Sequence, residues 1–394
     1  MQTGTDVLRD TDWTRTFHAY GSGADAPEHL APLLTGDPGE RRRALGYLYG
    51  AILHQGTVYS ATVPAALFVA GILGSPALDA PAVEGGGTTP FRHTLLRFLA
   101  DAAEAAEDAL HHAVPEAQAP PEPSPADLDR VYAALGSDDE DEALHVWEEP
   151  VMEALMNRVG PDMRAAAPAL YEAVHPLLTH ADPGTRMRAV EAAAAVARLG
   201  GFGPDLSGAA DMAECRDEGA VIVLALGRVG ADTTEFLTHA DPAIRVCAAL
   251  APAQAANPAA TEELAAALAD PAGADAWFGS RPSYFPDRVR FTLARVLAER
   301  SAPADAERLL PVLRAVAPLS STGAGAADVG QLLRVAFPSA ADAGADLTGV
   351  QRAYLAVLLD NDALWESGVP DFRFHLKGLG LPQDRGGISA LAGV

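Results

Sequence analysis

Lysine is almost missing from this sequence, which has one lysine, Lys377, among 28 basic residues. Basic residues as a whole are few in comparison with the 53 aspartate and glutamate residues. The formal net charge is therefore −25. Proteins that bind nucleic acid usually present a basic face to the phosphates. A chain with this charge is repelled on average by nucleic acid and by anionic membranes, so we expect neither as a partner.

Cysteine is scarce as well, with only Cys215 and Cys247. Secreted disulfide scaffolds contain more cysteine, so we expect both residues to be small buried hydrophobes. No apolar run reaches the roughly 18 residues that a transmembrane helix needs. The N-terminal residues MQTGTDVLRDTDW lack the basic and apolar regions of a secretory signal. The expected location is the cytoplasm.

Runs of β-branched residues are rare, and regular alternation of apolar and polar residues is absent. Alanine and leucine dominate, and turn signals recur about every 12 to 18 residues. This pattern is typical of short helices joined by short loops. The sequence therefore predicts an all-α fold.

Internal repeats are present. The phrase THADPGTRMRAV contains Asp182, and the similar phrase THADPAIRVCAA contains Asp241, 59 residues later. A further Asp-Pro pair begins at Asp270, and LLTGDPGERRRAL contains another at Asp37. These spacings indicate a unit of about 30 residues that consists of a short helix, an Asp-Pro turn and a second helix.

The two residues of the Asp-Pro turn favour the start of a helix. Aspartate at the N-cap accepts hydrogen bonds from free amides of the helix, and proline is favoured at the first helical position. An arginine follows four residues after three of these aspartates, at Arg41, Arg186 and Arg245. We expect it to reach the capping carboxylate of its own or of the adjacent repeat.

These phrases strongly resemble HEAT repeats, and their short period is similar to the phycobilisome-lyase type. The resemblance covers residues 30–55 and 170–270, and it is weaker from residue 287 and over 347–359. The block from WTRTFHAYG to HQGTVYSAT is similar to the start of many actinobacterial HEAT proteins of undefined role. The resemblance implies a right-handed α-solenoid of paired antiparallel helices, and a fold of this kind specifies no activity by itself.

Two segments interrupt the pattern. The stretch 115–142 contains PEAQAPPEPSP and SDDEDE and is predicted to be a Pro-rich and acidic linker or long loop. Alternatively, the end of this stretch starts a helix at Glu142. The stretch separates a helical region at 1–114 from a solenoid with capping helices at 143–394. The stretch 272–286 inserts an aromatic loop in a chain that is only 6% aromatic.

The first candidate binding site is the phrase that contains His54, Gln55, Thr57 and Tyr59. One interpretation places these side chains on the concave surface of the solenoid. The other is structural: Gly56 ends one helix, and Thr57 or a neighbouring serine caps the next. The sequence leaves both open.

The second candidate binding site is the aromatic loop with Trp277, Phe278, Arg281 and Tyr284. Exposed aromatic residues beside arginine are typical anchors of protein interfaces. The alternative is a loop that folds back and packs its aromatics on the helices.

Metal and cofactor sites are not expected. His180 and His239 occupy equivalent repeat positions, which would place them about 20 Å apart in a solenoid, too far to share a metal. No phosphate-binding, dinucleotide-binding or nucleophile-elbow motif occurs. At the C-terminus, Phe372, Phe374 and Leu376 are expected to close the core, with His375 and Lys377 facing out.

A solenoid presents an extended concave face that commonly recognises proteins or peptides. We therefore expect a cytoplasmic protein- or peptide-binding scaffold without a cofactor. A specific form of this hypothesis is an immunity or antitoxin-type protein for a basic partner. The alternative is a HEAT-fold enzyme of lyase or tailoring type that acts on a small-molecule or peptidic substrate; a DNA glycosylase is opposed by the charge. No catalytic residue can be nominated, and the oligomeric state stays open.

Overall fold

The computed structural model describes residues 1–81, 89–113, 122–137, 139–339, 347–366 and 371–394, with the backbone alone for Glu140. Within these ranges the chain is mostly helical, as the sequence predicts. It divides into two compact units, Met1–Ala213 and Glu214–Val394. The division predicted around 115–142 stays a prediction, because residues 114–121 and 138 lie outside the described ranges.

The helices of the first unit, in the ranges described, are α1 Thr5–Asp10, α2 Ala26–Leu30, α3 Pro32–Thr35, α4 Pro38–Tyr47, α5 Thr62–Ile72, α6 Phe91–His111, α7 Pro125–Leu135, α8 Glu140–His145, α9 Pro150–Val174, α10 Pro183–Gly200 and α11 Ser207–Met212. The long helices α6, α9 and α10 pack against one another. Leu95, Phe98, Leu99 and Ala102 of α6 recur at helical spacing and are fully buried. Small residues allow close approach, because a Cβ on Gly160 of α9 would lie 2.9 Å from Cγ of a leucine on α6.

The helices of the second unit, in the ranges described, are α12 Arg216–Arg228, α13 Pro242–Ala249, α14 Pro258–Ala267, α15 Pro271–Asp275, α16 Val289–Glu299, α17 Ala306–Val316, α18 Val329–Ala336, α19 Gly349–Leu359, α20 Asp371–Gly378 and α21 Arg385–Ala392. Successive helices pack in a chain of neighbours: α12 on α13, α13 on α14, α14 on α16, and α16 on α18. One continuous hydrophobic core runs through the unit, and Phe285, Tyr354 and Phe372 are among its largest side chains.

Strands β1 Phe17–His18 and β2 Gly21–Ser22 form a small antiparallel pair in the first unit. The Ser60 hydroxyl accepts a hydrogen bond from the Phe17 amide at 2.8 Å, and the Phe17 carbonyl accepts one from the Ala61 amide at 3.0 Å. The hairpin is thereby fixed to the segment that enters α5.

The aspartates of the Asp-Pro turns cap helices, as predicted. The side chains of Asp37, Asp182, Asp241 and Asp270 each accept a hydrogen bond from a backbone amide in the first turn of α4, α10, α13 and α15. Proline follows each of them at the first helical position. The two THADP phrases also share a short 3₁₀ helix that ends just before the turn, at His175–Thr179 and Thr234–Thr238.

Part of the predicted linker is helical. Residues 114–121 lie outside the described ranges, but α7 begins at Pro125 with the Ser124 side chain as its cap. The acidic phrase starts α8 at Glu140, two residues before the predicted position, with Asp139 as the cap. Leu144 of this helix is 66% exposed.

Three expectations about side-chain burial are wrong. Phe374 is 61% exposed, whereas Phe372 and Leu376 are fully buried. At 100° per residue, positions 372, 375 and 376 share one face of α20 and position 374 lies opposite. His375 therefore points inward, 2.8 Å from the Gly330 carbonyl oxygen. Likewise Cys215 is exposed, since it lies at the start of α12 rather than within the helix.

Candidate functional site

The first predicted site lies on an irregular turn. The end of α4 continues as a π-helical turn over Leu48–Ile52, and Gln55 then adopts a left-handed conformation with φ 51°. Gln55 and Thr57 are exposed, and His54 is half-buried. His54 Nδ1 lies 2.9 Å from the carbonyl oxygen of Gly50, to which it donates a hydrogen bond. Three of the four predicted side chains are therefore at or near the surface.

Tyr59, the fourth residue of this site, belongs to the core. It is 9% exposed, and its ring packs edge-on against Phe17 and Trp147. Burial raises the pKa of its phenol. The predicted cap of the next helix is also absent, because α5 begins at Thr62 with no side-chain cap and Thr57 does not serve as one.

The sequence analysis missed the side chains that surround this turn. Asp25 accepts hydrogen bonds from the Tyr47 hydroxyl at 2.8 Å and from His18 Nε2 at 3.1 Å. Burial, together with the carboxylate of Asp25, raises the pKa of Tyr47. Tyr20, which is 70% exposed, packs edge-on against His54 with ring centres 5.3 Å apart. Both His18 and Tyr20 lie in the phrase WTRTFHAYG, which is the part of the sequence that could have indicated these two contacts.

A second polar network joins α6 to α10. His93 Nε2 lies 3.1 Å from Asp182 and 3.0 Å from the Thr185 hydroxyl. Burial lowers the pKa of His93 despite the neighbouring carboxylate. A catalytic triad requires the acid and the nucleophile on opposite ring nitrogens. Here both lie on the same nitrogen and Thr185 is fully buried, so the network positions helices and is not built for nucleophilic catalysis.

His180 and His239 have the same structural role. The Nδ1 atom of each accepts a hydrogen bond from the backbone amide of the capping aspartate two residues on, at 3.1 Å for Asp182 and 3.0 Å for Asp241. Each imidazole thus fixes the turn before the helix. In the described residues, no group of three or more His, Cys, Asp or Glu side chains is arranged to hold a metal ion.

The arginines of the Asp-Pro turns contact carbonyl groups. Arg186 and Arg245 each donate from Nη1 to the carbonyl oxygens of the His-Ala pair that precedes the capping aspartate. The carboxylate that Arg245 reaches is Glu263 at 2.9 Å, not the predicted cap Asp241. Asp241 is instead bound by Arg216 at 2.6 Å.

The aromatic loop folds back on the second unit. Phe285 is 1% exposed, and both Phe278 and Tyr284 pack on its ring with centres 5.7 and 5.4 Å away. Arg216 donates to the Trp277 carbonyl oxygen at 3.0 Å, which ties the loop to the start of α12. The structural interpretation therefore holds for Phe278 and Tyr284, while Arg281 is exposed.

Trp277 lies differently, because its half-buried ring lines a groove of about 200 Å³ between α13 and α14. The first wall is the face of α13 that carries Pro242, Arg245 and Val246. These positions recur at i, i+3 and i+4, the spacing that places side chains on one helix face.

The second wall is the facing side of α14, with Glu263, Ala266 and Ala267 at the same spacing. Asp270 follows in the turn after the helix, and Ala274 and Trp277 complete the lining. The groove is thus lined by small apolar side chains, by the carboxylates of Glu263 and Asp270, and by one indole.

No protein-family model matches this chain, and no curated protein or solved structure matches it. Among the residues described, none of the helices combines the length and apolar character required to cross a membrane.

Proposed function

We propose that the chain is a HEAT-like α-solenoid that binds a protein or peptide segment, and that the groove between α13 and α14 is the binding site. The two THADP phrases support the repeat, because they fold into the same sequence of 3₁₀ helix, capped turn and α-helix. The successive packing of α12, α13, α14, α16 and α18 is the neighbour-to-neighbour pattern expected of a solenoid.

The observation that carries the proposal is the position of Trp277. A half-buried tryptophan beside a groove large enough for one side chain is the arrangement of an interface anchor. The lining of the groove has no hydroxyl, thiol or imidazole group. Nucleophilic and imidazole-based catalysis therefore have no group to act there, which favours binding over chemistry.

Charge favours a basic partner. Arginines that are buried within the fold include Arg41, Arg92, Arg186 and Arg290. Their positive charges lie inside, and many of the 53 acidic residues remain on the surface. A basic protein is attracted to such a surface, whereas nucleic acid is repelled. An immunity or antitoxin-type role in the cytoplasm is the specific form of this proposal.

Selection of phage-displayed random peptides on the immobilised full chain tests the proposal. We expect an enriched sequence whose binding is lost in Trp277→Ala. Because Trp277 also packs on the core, Ala266→Gln is the second variant, since it fills the groove from an exposed position of α14.

The matched control is Leu319→Ala, which removes an exposed apolar side chain of the same unit, one that does not line the groove. It should leave the selected peptides bound. Enriched peptides that bind wild type and both groove variants equally would refute the groove as the site, and the absence of any enriched sequence would refute peptide binding.

A further inference from the structure

The groove between α13 and α14 has two alanines on its α14 wall, with a carboxylate on either side of them along the chain. Glu263 precedes Ala266 and Ala267 by one helical turn, and Asp270 follows them by about one turn. The volume of about 200 Å³ equals that of roughly seven water molecules at ~30 Å³ each. The groove therefore has room for one long side chain.

Each of the two carboxylates keeps one free oxygen in the described structure. Asp270 accepts the Gly273 amide on Oδ1 at 3.1 Å, and Glu263 accepts Arg245 Nε on Oε2 at 2.9 Å. Within the residues described, neither Asp270 Oδ2 nor Glu263 Oε1 accepts a hydrogen bond. Two acceptors are thus available to a ligand.

The positive groups near the groove are already matched. Arg245 is bound to two backbone carbonyls and to Glu263, so its charge offsets that of Glu263. Arg216, which holds the Trp277 carbonyl, is paired with Asp241. Neither arginine offsets the negative charge of Asp270, so the groove carries a net negative charge.

We propose that the groove binds an arginine or lysine side chain of the partner segment, an assignment that rests on the proposed function. The methylene stem packs on the two alanines, and the cationic head reaches the free oxygens of Asp270 and Glu263. The Trp277 ring in the lining of the groove adds the attraction of an aromatic face for a cation.

Fluorine NMR of the full chain labelled with 5-fluorotryptophan tests this assignment. The sequence has four tryptophans, and Trp277→Phe identifies the signal of the groove. The probes are the peptides acetyl-Gly-Gly-X-Gly-Gly-amide with X as arginine, lysine, norleucine or glutamate. We expect the arginine and lysine peptides to shift the Trp277 signal saturably and the other two to leave it in place.

Asp270→Asn is the informative variant. Asparagine caps a helix as well as aspartate does, so α15 should keep its start while the charge is lost. We expect roughly three- to tenfold weaker binding of the arginine peptide. Glu262→Gln is the matched control, because Glu262 neighbours the groove residue Glu263 on α14, does not line the groove, and pairs with Arg308 at 2.7 Å. It should change nothing.

Several results would overturn the inference. Equal shifts with the norleucine and arginine peptides would show an apolar groove, and equal weakening by Asp270→Asn and Glu262→Gln would show attraction to the whole surface. No shift of the Trp277 signal with any peptide would also refute it, provided that the other three tryptophan signals report a folded chain. The proposed function fails separately, by the absence of Trp277-dependent peptides in the phage selection.

Discussion

A buried ion pair in the second unit makes the sharpest prediction about stability. Asp328 is fully buried, and its Oδ2 lies 3.2 Å from Nε of Arg290, which is 3% exposed. Asp275 also contacts this guanidinium, and the Ser320 hydroxyl and the Val329 amide donate to Oδ1 of Asp328. Burial raises the pKa of Asp328, although these three donors oppose the shift.

Asp328→Ala removes one of two carboxylates from the guanidinium and leaves buried donors without an acceptor. Breaking a buried pair in this way costs about 3–5 kcal/mol. For a unit of this size the loss corresponds to a fall in melting temperature of roughly 6–20 °C. Urea unfolding, followed by the fluorine signal of Trp365 in the same unit, measures the free energy of unfolding of that unit.

Asp362→Ala is the matched control, since Asp362 pairs with Arg385 at 2.7 Å while the two side chains are 83% and 51% exposed. Exposed pairs are screened by water and salt, so this change should have little effect. If Asp328→Ala costs no more than Asp362→Ala, the reasoning from burial is wrong.

Three further predictions concern stability. Burial lowers the pKa of His93 and His375, so as the pH falls these two histidines are protonated in the unfolded chain before they are protonated in the folded chain. The free energy of unfolding should therefore fall as the pH drops below about 6.5. Replacing both residues by glutamine should reduce this dependence on pH. Arg245→Lys should cost about 1.5–3 kcal/mol in urea unfolding, because lysine cannot span two carbonyls and a carboxylate, whereas the exposed Arg314→Lys should be neutral. Gln55→Gly should stabilise by up to about 1 kcal/mol in the same assay, since glycine adopts a positive φ without strain, and Gln55→Ala should not.

Local features of the fold could be predicted from the sequence. The capping by Asp37, Asp182, Asp241 and Asp270 depends on residues within one turn, so the Asp-Pro phrase is sufficient to predict it. The partners of the arginines could not be predicted in the same way. The guanidinium of Arg245 reaches Glu263, a residue of the next helix, and that approach depends on how two helices pack.

The candidate site, too, depends on contacts between helices that the sequence does not predict. The sequence placed Trp277 in a loop and made it a binding residue, but it grouped Trp277 with Phe278 and Tyr284, which pack on the core as Trp277 does and do not line the groove. The groove wall is formed by alanines and acids of α14, and these residues look like any exposed helix face until α13 packs beside them. Periodicity identifies one face of one helix, and a groove requires the faces of two.

At the buried positions, these contacts favour arginine over lysine. Arg92 is 3% exposed, and it donates from Nε to the Leu73 carbonyl at 2.8 Å and from Nη2 to the Ser75 carbonyl at 2.9 Å, while Nη1 binds Asp79. A planar guanidinium presents five donors in a fixed fork and holds three separate acceptors at once, whereas the donors of an ammonium share one atom. Arginines used in this way lie inside the turns, and the carboxylates that cap and flank the helices stay near the surface. The chain's net negative charge is thus concentrated on its outside, where a cationic partner would meet it.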